Sequence, residues 1–165
     1  MGCDRRGVDG RRADPILEES VTDAEREDKL VDTIAAHSLG VLATIRRDGS
    51  PQQSTVVYSF DRAERLIRVS VTGTRAKTAN LRRDPRASFH VSSGDGWTYT
   101  AAQVRGELTP VAADPHDEVV EELVGLYRAV RGEHPDWDDY RRAMVQQGRM
   151  VLRLRVERVV GIPGD

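Results

Sequence analysis

Arg75 and Lys77, with Thr78 beside them, are the side chains best placed to do chemistry, and that chemistry is anion binding. They fall in Gly73-Thr74-Arg75-Ala76-Lys77-Thr78-Ala79-Asn80-Leu81-Arg82-Arg83-Asp84-Pro85. Asp84-Pro85 stops a helix, because the residue before a proline is forced out of the α region. The spacing predicts a short helix over residues 75–83 with Thr74 as its N-cap. Arg82 and Arg83 then sit at the C-terminal end, where cations suit the macrodipole. Arg75 and Lys77 sit in the first turn, where each opposes it by about 0.3–1 kcal/mol. A capping box would place Glu or Gln at residue 77, and this chain has Lys. Cations beside free backbone N–H groups are costly when empty and suit a phosphate when filled. The competing reading is a pair of solvated surface charges.

A second group lies on two strand-like segments. Gln52, Ser54, Thr55 and Ser70 interrupt runs that would otherwise be apolar. Short neutral donors and acceptors suit the rim of a planar heterocycle carrying carbonyl and N–H groups. Alternation alone would turn half of them to solvent. Other chemistries find little support. There is no G-x-S-x-G, no Walker A and no G-x-G-x-x-G between strand and helix. Cys3 is the only cysteine, so an intrachain disulfide and a cysteine-based metal site are excluded. The four histidines show no ligand spacing, and no metal site is expected. His90 reads as a core or interface residue, and Trp97, Trp137 and Tyr140 as packing anchors.

The elements that must position these groups follow from the pattern of the chain. It has 165 residues, which suits one domain. Hydrophobic residues make up 38%, which is lean for one subunit and favours burial of an interface. The net charge of -2 gives no global attraction for nucleic acid or an anionic membrane. No apolar run reaches transmembrane length and no signal-peptide h-region is present, so a cytoplasmic protein is expected.

Residues 1–22 read as a disordered or irregular extension, and 23–165 as the folded domain. A helix over 23–37 is capped by Thr22 or Asp23. Strands follow at 39–46, 51–60 and 66–72, with Asp48-Gly49 as a hairpin turn. After the cationic helix come strands at 87–91 and 97–111, with Gly106 expected at a bulge or bend. Asp114-Pro115 is expected to open a helix as cap and first residue, Asp136 a second, and a strand at 150–160 closes a barrel. Strands so close in sequence are mostly antiparallel.

Three segments carry a family resemblance. They are Gly40-Val41-Leu42-Ala43-Thr44-Ile45, Asp48-Gly49-Ser50-Pro51-Gln52, and the run from Arg75 to Ala87. Together they resemble the pyridoxamine-5'-phosphate-oxidase-like split-barrel superfamily. Asp95-Gly96-Trp97 and the run from Gly132 to Arg141 are similar to its actinobacterial branch that uses the deazaflavin coenzyme F420. The likeness covers about residues 25–163. It implies a mainly β fold with peripheral helices, a six-stranded antiparallel split barrel, and a homodimer with cofactor sites at the subunit interface. It implies that Arg75, Lys77 and Thr78 hold the cofactor's phosphate, with Ala76 among the cofactor-binding residues. Gln52, Ser54, Thr55 and Val56 would line the ring system, Ser70 and Val71 would add contacts, and Trp97 would come from the other subunit. The expected function is hydride transfer between reduced F420 and a small organic substrate, with no catalytic residue assigned. An FMN-dependent enzyme of the same fold and a non-enzymatic cofactor carrier are the rivals.

Overall fold

The computed structural model describes residues 22–164. The expected irregular extension lies outside them, except for Thr22. That residue caps α1 (Asp23–Ala35) through a reciprocal capping box with Glu25. Leu30, Val31 and Ile34 of α1 are buried against the barrel core.

The strands are β1 (Leu39–Ile45), β2 (Pro51–Val57), β3 (Ser59–Asp61), β4 (Leu66–Thr72), β5 (Arg86–Ser92), β6 (Tyr99–Leu108) and β7 (Arg149–Ile162). They form one antiparallel sheet in the order β2-β1-β5-β6-β7-β4-β3. The fold is therefore mainly β with peripheral helices, a curled antiparallel barrel. Seven strands replace the expected six because the strand expected at 51–60 breaks at Tyr58. β2 forms one edge of the sheet and β3 the other, so a single residue joins the two edges. Tyr58 is fully buried, donates its hydroxyl to the Ile34 carbonyl at 2.7 Å, and packs edge-on against Phe89. That pinned side chain fixes the bend.

Alternation is clear along β4, where Ile67, Val69 and Val71 enter the core while Arg68, Ser70 and Thr72 are half-exposed. The turn before β2 forms as the sequence suggests. Gly49 takes φ 83°, and Asp48 accepts from the Ser50 amide at 3.0 Å. The Gly106 expectation needs correction. The register shifts between Gln103 and Val104, while Gly106 pairs regularly with Leu154. Gly106 is needed for close approach, since a Cβ there would lie 3.0 Å from Leu81 of the helix that follows β4.

Three helices complete the fold: α2 (Ala76–Arg83), α3 (Glu118–Arg131) and α4 (Trp137–Gln146). Asp114-Pro115 does not open α3. Asp117 is the N-cap, accepting from the Val120 amide at 2.8 Å, and Asp114 sits in the preceding turn. The Asp117 carboxylate also collects the amides of Ala113 and Asp114, so it binds more donors than Asp114 could from one turn earlier. Asp136 caps α4 as expected. A second apolar cluster joins Val120, Leu123 and Val124 of α3 to Met144 of α4 and Val151 of β7. Glu122 clamps α3 to the sheet, accepting from Arg153 at 2.6 Å and Arg68 at 2.9 Å. Burial pushes the Glu122 carboxyl up, but the two guanidiniums outweigh it and hold the carboxyl below its ordinary range.

Candidate functional site

β2 and β4 diverge after the break at Tyr58. β3 pairs only with Leu66–Arg68 of β4, and β2 pairs only with β1. One edge of β2 therefore faces one edge of Val69–Thr72 without a ladder between them. Alternate backbone N–H and C=O groups on both edges point into this gap. Here a cavity of about 580 Å³ opens, bounded by Thr55, Val56 and Val57 on one side and Val69 to Thr72 on the other.

The head of α2 closes one end. Arg75 is its N-cap, in extended conformation with no side-chain hydrogen bond to the helix. Thr74 does not cap as expected. Its hydroxyl lies 3.4 Å from that of Thr72. Thr78 is buried and donates to the Thr72 carbonyl at 2.9 Å, which ties the helix head to the end of β4. The first turn contains no acidic residue. The amides of Ala76 and Lys77 precede the first bonded helical donor, the Thr78 amide, and stay free for a ligand. Burial pushes the Lys77 ammonium below its ordinary pKa, and the neighbouring Arg75 charge pushes it the same way.

The far wall comes from α3, α4 and the start of β7. Leu126, Tyr127, Val130 and Arg131 contribute from α3, Tyr140 and Met144 from α4, and Arg149 from β7. Tyr127 packs edge-on against Tyr140 and Trp137, so the aromatic wall is rigid. Among the described residues four cations (Arg75, Lys77, Arg131 and Arg149) line the cavity, and no carboxylate does. Arg149 is oriented by Gln147, to which it donates at 3.0 Å. The arrangement suits a ligand with one anionic end, a polar planar rim and an apolar face.

Of the residues singled out in the sequence, Thr55, Val56, Ser70, Val71, Arg75 and Lys77 line this cavity. Ala76 lies on the exposed first turn and Thr78 beneath it. Gln52 and Ser54 are half-buried on the neighbouring stretch of β2. The Gln52 side chain donates to Ser54 at 2.8 Å and accepts from Thr44 at 3.1 Å. Trp97 lies apart, 78% exposed, on a loop held by Asp95. Arg131, Arg149, Tyr127 and Met144 were not read as site residues. The helix itself was expected from the sequence, but the division of its apolar residues between core and cavity was not.

Comparison with known proteins places this geometry. Residues 27–162 match the family model described as pyridoxamine 5'-phosphate oxidase. An F420 reductase is 23% identical, with a TM-score of 0.52, over 74% of this chain and 88% of its own. An FAD-binding protein from Mesorhizobium loti is 18% identical, with a TM-score of 0.55, over 79% and 87%. A heme binding protein from Mycobacterium smegmatis is 22% identical, with a TM-score of 0.61, over 84% of this chain and 54% of its own. At these identities the likeness is one of fold. The family model spans most of the described residues, and the chain belongs to the pyridoxamine 5'-phosphate oxidase family.

Proposed function

We propose that this protein is an oxidoreductase that binds a phosphate-bearing flavin-type cofactor in the gap between β2 and β4, with coenzyme F420 as the first choice. The observation that carries this reading is the cavity at the head of α2, lined among the described residues by four cations and no carboxylate. Burial and the Arg75 charge both disfavour the charged form of Lys77, and a bound anion would favour it. Arg75, Lys77 and the free amides of the first turn of α2 would hold the phosphate. Ser70, Thr55 and the two strand edges would hydrogen-bond the polar rim of the ring. Leu126, Val130 and Met144 would cover an apolar face and exclude water.

When bound, the cofactor supplies hydride transfer, and the protein contributes orientation and a dry pocket. The substrate is a small organic molecule, and no side chain is assigned as a catalytic acid. FMN is the second reading, because the same phosphate grip serves either cofactor. The resemblance of Asp95-Gly96-Trp97 and Gly132–Arg141 to the deazaflavin branch favours F420.

We propose a homodimer as the working form. Leu39, Val57, Val160 and Ile162 are exposed apolar side chains on the strands β1, β2 and β7. Trp97 projects from the same molecule and would complete the partner's site.

Fluorescence titration with F420, FMN and haem tests the cofactor. The expected result is saturable binding of F420, tighter than FMN, with no haem spectrum, since among the described residues neither histidine nor cysteine lines the cavity. Tight FMN binding with indifference to F420 moves the assignment to the second reading. Binding without turnover against a panel of electron acceptors would make the protein a carrier.

A further inference from the structure

A second cavity, of about 510 Å³, shares no residue with the first. It lies on the outer face of the sheet across β6, β7 and β4. Strand register builds it from two rows. Arg105 pairs with Arg155, and Arg155 with Leu66. In the next row Glu107 pairs with Arg153, and Arg153 with Arg68. Glu122 of α3 borders the second row.

The charges of these rows do not balance. Glu122 is engaged by both Arg153 and Arg68, and Glu107 lies 3.9 Å from Arg153. Both carboxylates are therefore committed to the second row. In the first row Arg105 and Arg155 stand directly opposite each other, and neither has an ion-pair or side-chain hydrogen-bond partner among the described residues. Like charges directly opposite across antiparallel strands destabilise the sheet. Arg86 extends the row on β5, but Asp84 holds it through two hydrogen bonds at 3.0 and 2.7 Å. Glu157, two residues along β7 from Arg155, sits at the register shift and pairs with neither arginine. Four guanidiniums against two carboxylates leave two positive charges facing one slot, with Leu66 as its apolar floor.

We propose that this slot is a second ligand site, for a small dianionic oxyanion such as a phosphate or a dicarboxylate, held between Arg105 and Arg155. The planar forks of two opposed guanidiniums match paired oxygens, and the repulsion between them is relieved when a dianion enters. The site is independent of the flavin-type cofactor, whose binding uses none of these residues.

Calorimetric titration of the full chain with inorganic phosphate and, separately, with succinate tests this, at constant ionic strength set with chloride. Three proteins are compared: the natural one, Lys77→Ala and Arg155→Ala. Lys77→Ala, with its α2 grip weakened, should still bind at least one of the anions saturably. Arg155→Ala should bind it about tenfold more weakly or worse, the loss expected for a charge-assisted pair. Phosphate alone, succinate alone or both then identifies the oxyanion class. In the absence of either anion Arg155→Ala should melt no lower than the natural protein, since a repulsion has been removed. Arg105→Ala should repeat both results. Absence of saturable binding to Lys77→Ala, unchanged binding by Arg155→Ala, or a lower melting temperature of both arginine variants overturns the proposal.

Discussion

Lys77 joins local sequence to proposed function most directly. Its ammonium is half-buried, shares the cavity with Arg75, and has its pKa pushed down by burial and by that charge. Lys77→Ala should therefore weaken cofactor binding about tenfold or more, as for loss of a charge-assisted hydrogen bond. It should leave the denaturation midpoint unchanged or slightly raised, because a cation at the positive helix end is gone. Titration of cofactor fluorescence and urea unfolding read the two effects. The pH dependence has a defined sign. A lysine whose folded pKa is lowered loses its charge before an ordinary lysine does, so cofactor affinity should fall as pH rises through the alkaline range below 10.5. Lys77→Arg should flatten that decline. Arg75 and Lys77 were legible in sequence because they break the helix-dipole rule within a few residues. Arg131 and Arg149 were not, because each is ordinary in its own segment. Arg131 closes α3 at its C-terminal end, where a cation is favourable, and Arg149 opens β7.

The elements hold the cavity in shape. α3 supplies much of the apolar wall, and Glu122 anchors it to β4 and β7 through Arg68 and Arg153. Removing the carboxylate in Glu122→Ala leaves two partly buried guanidiniums without their hydrogen-bond acceptor, with only Asp61 and Glu107 at 3.9 Å as ion-pair partners. This should cost about 2 kcal/mol in urea denaturation, below the loss from a fully buried pair because the arginines remain partly exposed. The folded carboxyl titrates below its ordinary value, so its contribution is present above about pH 4.5 and is lost as pH falls through the folded pKa. Glu122→Gln should remove that part of the acid sensitivity. Helix starts were only partly legible. Thr22 and Asp136 cap as read, whereas Asp117 displaces Asp114 and Arg75 displaces Thr74. At α2 the cap lies one residue beyond the expected position and at α3 three residues beyond it, because the tertiary path of the chain sets where each helix begins.

For the whole molecule, strand order and the two-ended role of residues 51–61 came only with the structure. Period-2 alternation identified β2 and β4, but it carries no information about which edges meet. The break at Tyr58 was hidden because Val56, Tyr58 and Phe60 continue the same alternation through it. The proposed dimer follows from the face that carries the exposed Leu39, Val57, Val160 and Ile162. Val160→Asp places a charge on that face at a position already half-exposed, so the monomer fold should survive. Sedimentation should then show dissociation to monomers, with cofactor binding weakened as the partner's Trp97 is lost. A variant that stays dimeric would put the subunit contact elsewhere.

The gap between β2 and β4 has a consequence for handling the protein. Two strand borders, seven and four residues long, run beside each other without a ladder between them, and an extended peptide or a neighbour's strand could add to either. A flat guest lodged there would act as a stopper against such misplaced pairing. Material stripped of its guest should turn cloudy on gentle warming sooner than loaded material at the same concentration, so solubility itself would report occupancy.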